Sequence, residues 1–340
     1  MNQSLRPIRW RLAIPVEVQC EYAGVTQAAY YTDIDATIAV SDQFPRRFEQ
    51  VTGYRPPRSY APPVTAYEGV AALGGRLVFS AGHQPMIENQ GRILAAAEQV
   101  DSVRPPDPWR CARFRQLVAW QRELERRFPG QVGPNSLAGQ EGPVTTAGLL
   151  RGHDFFLDCL ADPQRAHHLL DVCTETYIRF YQASDAANGV SDRQTIGIAD
   201  DYAGLIRPEM WPEFVLPYYR RIIAALGPQG CHMHTELVRR EHLALLRSLK
   251  LASLNVGENQ YITVRDVMDV LPDVPFGWHI LTVSEMQQGT PDGVRRRFLE
   301  LVDMGVTEII AELTVNTPPE NIRAFVQTGR DMETAAHAAT

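Results

Sequence analysis

Residues 194–236 read QTIGIADDYAGLIRPEMWPEFVLPYYRRIIAALGPQGCHMHTE, and the order of apolar runs in this stretch decides the fold. A short run at 194–199 ends in two aspartates, a stretch of helical length follows at 208–226, and a second short run at 229–233 ends in histidines. That is one βαβ unit, the building block of a parallel sheet. Further strands read at 136–140, 251–256, 275–280 and 307–312, separated by helices at 163–187, 237–249, 264–271, 291–304 and 318–329. Pro163, Pro208, Pro291 and Pro318 stand where helices begin, a position at which the missing N–H costs nothing. With a strand at 77–80 and one more from the N-terminal part there would be eight. The prediction is an α/β chain, a (β/α)8 TIM barrel with additional N-terminal helices and loops. A doubly wound sheet is the rival, but neither G-x-G-x-x-G nor G-x-x-x-x-G-K-[ST] occurs.

The first hundred residues resist periodic reading because segments such as RPPRSYAPPVTAYEG at 55–69 interrupt every pattern. One helix stands out at 109–128, with Asp107-Pro108 as its start signal, Phe128-Pro129-Gly130 as its stop, and Phe114, Leu117, Val118 and Leu124 at helical spacing. The expected layout is an N-terminal extension over 1–75 packed on the barrel, the barrel over 76–330, and a frayed Ala-rich tail at 331–340.

Composition narrows the function. Of 340 residues 44% are apolar and 21% charged, enough to bury a substantial core. A formal net charge of −7 argues against nucleic acid as a partner, since binding phosphates calls for a basic face. No stretch approaches the ~20 apolar residues that span a bilayer, and MNQSLRPIRWRLAIP lacks the apolar core of a signal peptide, so no membrane partner and a cytoplasmic location are expected. Five cysteines at irregular spacing, without a C-x-x-C pair, disfavour a disulfide framework and a four-thiolate zinc site. Most are expected to be reduced and buried.

In a parallel barrel the polar groups at the carboxyl ends of strands converge on one mouth. Those positions hold Glu141, Asp200-Asp201-Tyr202, the run Cys231-His232-Met233-His234-Thr235-Glu236, Asn255 with Glu258, His279, and Glu312. Residues i and i+2 of a strand point the same way, so His232 and His234 can present two imidazoles to one ion. The plainer alternative sends one histidine to the mouth and leaves the other as a structural residue at the strand exit. Of Asp200 and Asp201, one is expected to cap backbone N–H groups and the other to act as base, substrate acceptor or metal ligand. Glu312 fits a ligand or a salt bridge at the mouth, and His279 a third imidazole or a core histidine. Tyr202 and Glu258 join the aspartates as catalytic candidates, while Glu141, Asn255, Arg207 and His279 are candidates for holding substrate. Cys231 and Glu236 are further candidate ligands. His167 and His168 read as a packing or solvated pair inside a long helix.

Several of these segments carry a family resemblance. Gly142-Pro-Val-Thr-Thr-Ala-Gly resembles the GP-x-T-x-A strand-to-helix turn of the uroporphyrinogen decarboxylase superfamily. Ala199-Asp-Asp-Tyr-Ala-Gly-Leu-Ile-Arg-Pro is similar to its acidic turn, and Gly289-Thr-Pro-Asp-Gly-Val and Thr317-Pro-Pro-Glu-Asn-Ile to its last two signatures. The likeness runs in order over 140–329. The decarboxylase itself works without a metal and binds its polycarboxylate substrate partly through an M-R-Q-A-G-R-Y stretch, which is absent here. A second branch, the corrinoid-linked methyltransferases, holds a thiol on zinc through H-x-C and a later cysteine. The resemblance places His232 at that histidine, His234 at the first cysteine and Glu312 within about a residue of the second. Imidazole and carboxylate in place of two thiolates make a harder N/O site, suited to zinc or, as a two-histidine, one-carboxylate triad, to ferrous iron or manganese.

These readings give a metal-dependent enzyme acting on a small polar substrate, with His232, His234 and Glu312 as ligands and methyl transfer slightly ahead. The expected cofactor is divalent zinc or iron, with a corrinoid delivered by a partner protein and a homodimer as the base-rate assembly. The alternatives are a metal-dependent decarboxylase, lyase or non-haem iron enzyme, a metal-free decarboxylase with Arg76, Arg151 or Arg207 holding carboxylates, and a non-catalytic barrel that docks a corrinoid protein.

Overall fold

The computed structural model of the chain describes residues 8–133 and 136–338. Its strands are β1 (Arg9–Ala13), β2 (Arg76–Val78), β3 (Met86–Glu88), β4 (Thr195–Ala199), β5 (Gly230–His234), β6 (Leu251–Asn255), β7 (Phe276–Ile280) and β8 (Glu308–Glu312). Two compact units divide the chain: one holds Met1–Arg58, Ala81–Gln84 and Ser253–Thr340, the other Ser59–Ser80 and Pro85–Ala252.

In the first unit β1 pairs parallel with β8, from Arg9 opposite Glu308 to Ala13 opposite Glu312. β8 pairs parallel with β7, and β7 with the end of β6. Helices Ile34–Thr52, Pro291–Asp303 and Pro319–Ala338 belong here. The Phe325 ring meets Phe298 and Trp10 edge-on at centroid distances of 5.4 and 5.8 Å. Gly329 is required beneath that indole, because a Cβ at 329 would lie 2.6 Å from the Trp10 ring.

In the second unit β4 pairs parallel with β5, Ala199 lying opposite His234. The Cys231 N–H donates to the Lys250 carbonyl at 2.8 Å, where the chain enters β6. Helices Ala112–Arg127 and Pro163–Asn188 bury Phe114, Leu117 and Phe180 in one apolar cluster with Leu137. Four of the five cysteines are buried, Cys111 being the partly exposed one, and all are free thiols.

The α/β class and the βα connectivity of a (β/α)8 barrel with extra N-terminal helices stand, but the strands at its start were misplaced. The missing N-terminal strand is β1. The run at 77–80 contributes to an antiparallel hairpin instead, Leu77 opposite Ile87. No strand forms at 136–140, where Gln140 makes one isolated bridge to Tyr67. Gly139 packs so tightly there that a Cβ would lie 1.7 Å from the Thr65 carbonyl. Among the described residues the parallel strands are β4 and β5 in one unit and β1, β8, β7 and the end of β6 in the other. The helix read at 208–226 is broken into Pro208–Met210, Trp211–Phe214 and Leu216–Leu226. Pro212 and Pro217 supply no N–H to a continuous ladder, and each ring crowds the preceding turn. No helix of the described residues is long and apolar enough to cross a membrane.

Candidate functional site

The carboxyl ends of β4 and β5 are fastened together before any side chain matters. The Asp200 N–H donates to His234 O at 3.0 Å, and the Thr235 hydroxyl to Asp200 O at 3.1 Å. Asp200 is fully buried, and its carboxylate accepts from Val144 N at 3.1 Å, Thr145 N at 2.7 Å and the Thr145 hydroxyl at 2.7 Å. These donors sit in the first turn of helix Pro143–Arg151, where free N–H groups and the helix dipole favour a negative charge. Burial nevertheless outweighs the hydrogen bonds and raises the Asp200 pKa to about 6. Gly142 permits the approach, since a Cβ there would come within 2.4 Å of the aspartate side chain. Asp200 is thus a tether between β4 and the GPVTTAG turn.

Its neighbour faces different groups. Asp201 Oδ1 accepts from the Glu236 N–H at 3.0 Å and lies 3.6 Å from His234 Nε2; Glu236 Oε1 lies 3.7 Å from the same nitrogen. His232 is exposed and His234 half-buried, while Cys231 and Met233 are buried, which is the alternation that puts both imidazoles on one face of β5. Tyr202 is fixed by its N–H to the Thr145 hydroxyl at 3.0 Å and by its ring, which a Cβ on Gly148 would strike at 2.6 Å. Arg207 is exposed, its guanidinium 3.8 Å from the Met210 sulfur.

Glu141 completes the cluster. Burial, then the charge of Asp201, then that of Asp200 push its pKa up to about 8. Its Oε2 is buried and accepts no hydrogen bond among the described residues. At neutral pH this carboxyl holds its proton, as a general acid must. Tyr67, which the sequence reading did not single out, belongs here too: its phenol pKa is raised by burial, then by Glu141 and Tyr202. The one signal available was its place in the Pro-rich segment, two residues after Thr65, and that carries no chemistry.

Four expected residues fall in the other unit. Asn255 Oδ1 accepts from Gly257 N at 2.9 Å in a local turn, and Glu258 Oε1 from Thr282 N at 2.5 Å. His279 is buried within β7, and Glu312 is half-buried at the end of β8. Two of the three arginines invoked for a metal-free site are engaged elsewhere. Arg151 pairs with buried Asp158 and donates to Leu94 O and Ala95 O at 3.0 and 3.1 Å, and Arg76 pairs with Glu88 on the hairpin. Among the described residues no three His, Cys, Asp or Glu side chains are gathered as a donor set for a cation.

Parallel βα units with carboxyls and imidazoles at the carboxyl ends of adjacent strands define a barrel protein of the kind that does its chemistry at that face. The model of the family described as uroporphyrinogen decarboxylase (URO-D) matches residues 67–332, and the chain belongs to that family. It is 28% identical over 160 residues to the uroporphyrinogen decarboxylase of Thioalkalivibrio sulfidiphilus, covering 46% of this chain and 43% of that protein. It is 36% identical over 76 residues to the one from Xanthomonas campestris pv. campestris, covering 22% and 20%. These matches span less than half the length of the curated relatives. Among solved structures, a methyltransferase from Methanosarcina mazei superimposes with a TM-score of 0.69 over 96% of this chain and 93% of that one, at 15% identity, a likeness of fold.

Proposed function

We propose that the chain is an enzyme that protonates a substrate carbon as a carboxyl group leaves it, a decarboxylase in which Glu141 is the general acid. The observation that carries this reading is the buried Glu141 carboxyl, kept protonated at neutral pH beside Asp201 and Asp200. Loss of CO2 leaves an electron pair on carbon that takes a proton from an acid within reach, and a donor with a pKa near the working pH is the efficient one. Asp201, 3.6 Å from His234, accepts a hydrogen bond from substrate and orients it. Asp200 holds the turn that carries Glu141. In D2O the product should carry deuterium at the carbon that lost the carboxyl group. A product without solvent deuterium there would sink the assignment.

A second reading, methyl transfer, is favoured by His232 and His234 sharing one face of β5. The two imidazoles would take a divalent cation, zinc or iron, and a corrinoid protein would be the partner that brings the methyl group. Elemental analysis of protein purified without added metal tests it. Stoichiometric metal in the wild type that drops at least about tenfold in His232→Ala and His234→Ala is the expected result. Equal content in all three proteins ends this reading.

A further inference from the structure

The second unit contains a cavity of about 340 Å³ that shares no lining residue with the carboxyl cluster. Its wall is apolar, with Phe114, Leu117 and Phe180 prominent, except for Glu68, Arg113 and Cys111. Glu68 and Arg113 form an ion pair at 3.5 Å with side-chain exposures of 3% and 17%. Arg113 is further committed: it donates to Pro63 O at 2.7 Å and Gln116 Oε1 at 3.0 Å, and its guanidinium lies 5.4 Å from the Phe79 ring centre. Glu68 takes hydrogen bonds from Thr65 N at 3.1 Å, the Thr65 hydroxyl at 3.2 Å and Arg113, and all of them fall on Oε1. A buried carboxylate has capacity for more acceptor contacts than one oxygen supplies.

We infer that this cavity binds a small uncharged molecule with a flat apolar body and a single N–H or O–H donor, which bonds to Glu68 Oε2. Charge sets the first half of that description. The pair is already neutral, so a cationic or anionic guest would leave an uncompensated charge in apolar surroundings. Donor balance sets the second half, because each nitrogen of the guanidinium already donates and Glu68 Oε2 offers an acceptor. Size sets the rest: the volume is at the lower end of ligand pockets, about eleven waters' worth, which suits a one- or two-ring molecule. Phe114 and Phe180, edge to face at 5.6 Å, form part of its wall. The inference is independent of the catalytic reading.

Cys111 supplies the readout, being the one cysteine of five that is not buried. Indole, the probe, should slow alkylation of Cys111 by iodoacetamide saturably, by about tenfold at saturation, as followed by intact mass. N-methylindole, which lacks the donor, should need about tenfold more ligand for the same protection, the worth of one buried hydrogen bond. Leu117→Trp fills the cavity and should abolish protection, and Ala71→Leu at its half-buried edge gives the same test should the larger variant not fold. Equal protection by indole and N-methylindole, no saturation, or full protection persisting in the folded filled variant would overturn the inference.

Discussion

Replacing Glu141 with glutamine is expected to lower turnover by roughly 10²–10⁴-fold while leaving the fold intact, because the amide keeps the shape of the carboxylic acid but has no proton to give. The pH dependence should change with it. Wild-type activity needs the protonated acid and so falls as pH rises through about 8, the value to which burial and the two aspartates bring Glu141. That alkaline limb should be missing from the variant's residual rate. Stability moves the other way. A carboxyl whose folded pKa lies above its unfolded value of ~4.3 binds more protons when folded, so its contribution is fully present below that unfolded value and is lost as pH rises through the folded one. Between about pH 4 and pH 8 the wild type therefore loses stability that the glutamine variant keeps. The gain for Glu141→Gln at pH 8 should be on the order of 2–4 kcal/mol by urea titration, with no difference at pH 4. A variant both slower and more stable is what an acid held against its own electrostatics predicts. If Glu141→Gln turns over normally, or is less stable than wild type at pH 8, the acid is elsewhere.

The pattern of what could be read in advance follows from the range of the forces involved. Strand–helix alternation from Thr195 onward is written in local periodicity and in prolines that open helices, and β4 to β8 came out within a residue or two of their observed bounds. The run at 136–140 looks equally strand-like, yet Gly139 is pressed against Thr65, and the backbone there spends its carbonyl on the Glu68 N–H at 3.0 Å rather than on a ladder. Nothing in those five residues announces a partner seventy positions away. The acidic turn shows the same limit within the site. That one of two aspartates would cap a helix was legible, but which one was not, since the donors at Val144 and Thr145 lie 56 and 55 residues earlier in the chain. The state of Glu141 was hidden for the same reason: it depends on burial and on Asp201, neither of which is a local property.

Removing the Asp200 side chain should be the most damaging single change to the stability of the β4–β5 end. Asp200→Ala strands two backbone N–H groups and a threonine hydroxyl that are now bonded to one buried carboxylate. Each buried group left without a partner costs about 1–3 kcal/mol, and partial rearrangement of the turn recovers part of it, so a loss of roughly 3–5 kcal/mol is expected in urea unfolding. Asp200→Asn keeps one acceptor for Thr145 but turns an NH2 group toward the Val144 N–H or away from it, and should cost about half as much. Gly142→Ala attacks the contact from the other side, with its Cβ forced to within 2.4 Å of the aspartate, and should resemble Asp200→Ala in size. Because both reach the same carboxylate, the double variant should lose markedly less than the sum of the two. Additive losses, or an Asp200→Ala cost under about 1 kcal/mol, would mean that the turn is held by its backbone alone. In that case Asp200 would be available for chemistry, and the division of labour between the two aspartates would have to be reversed.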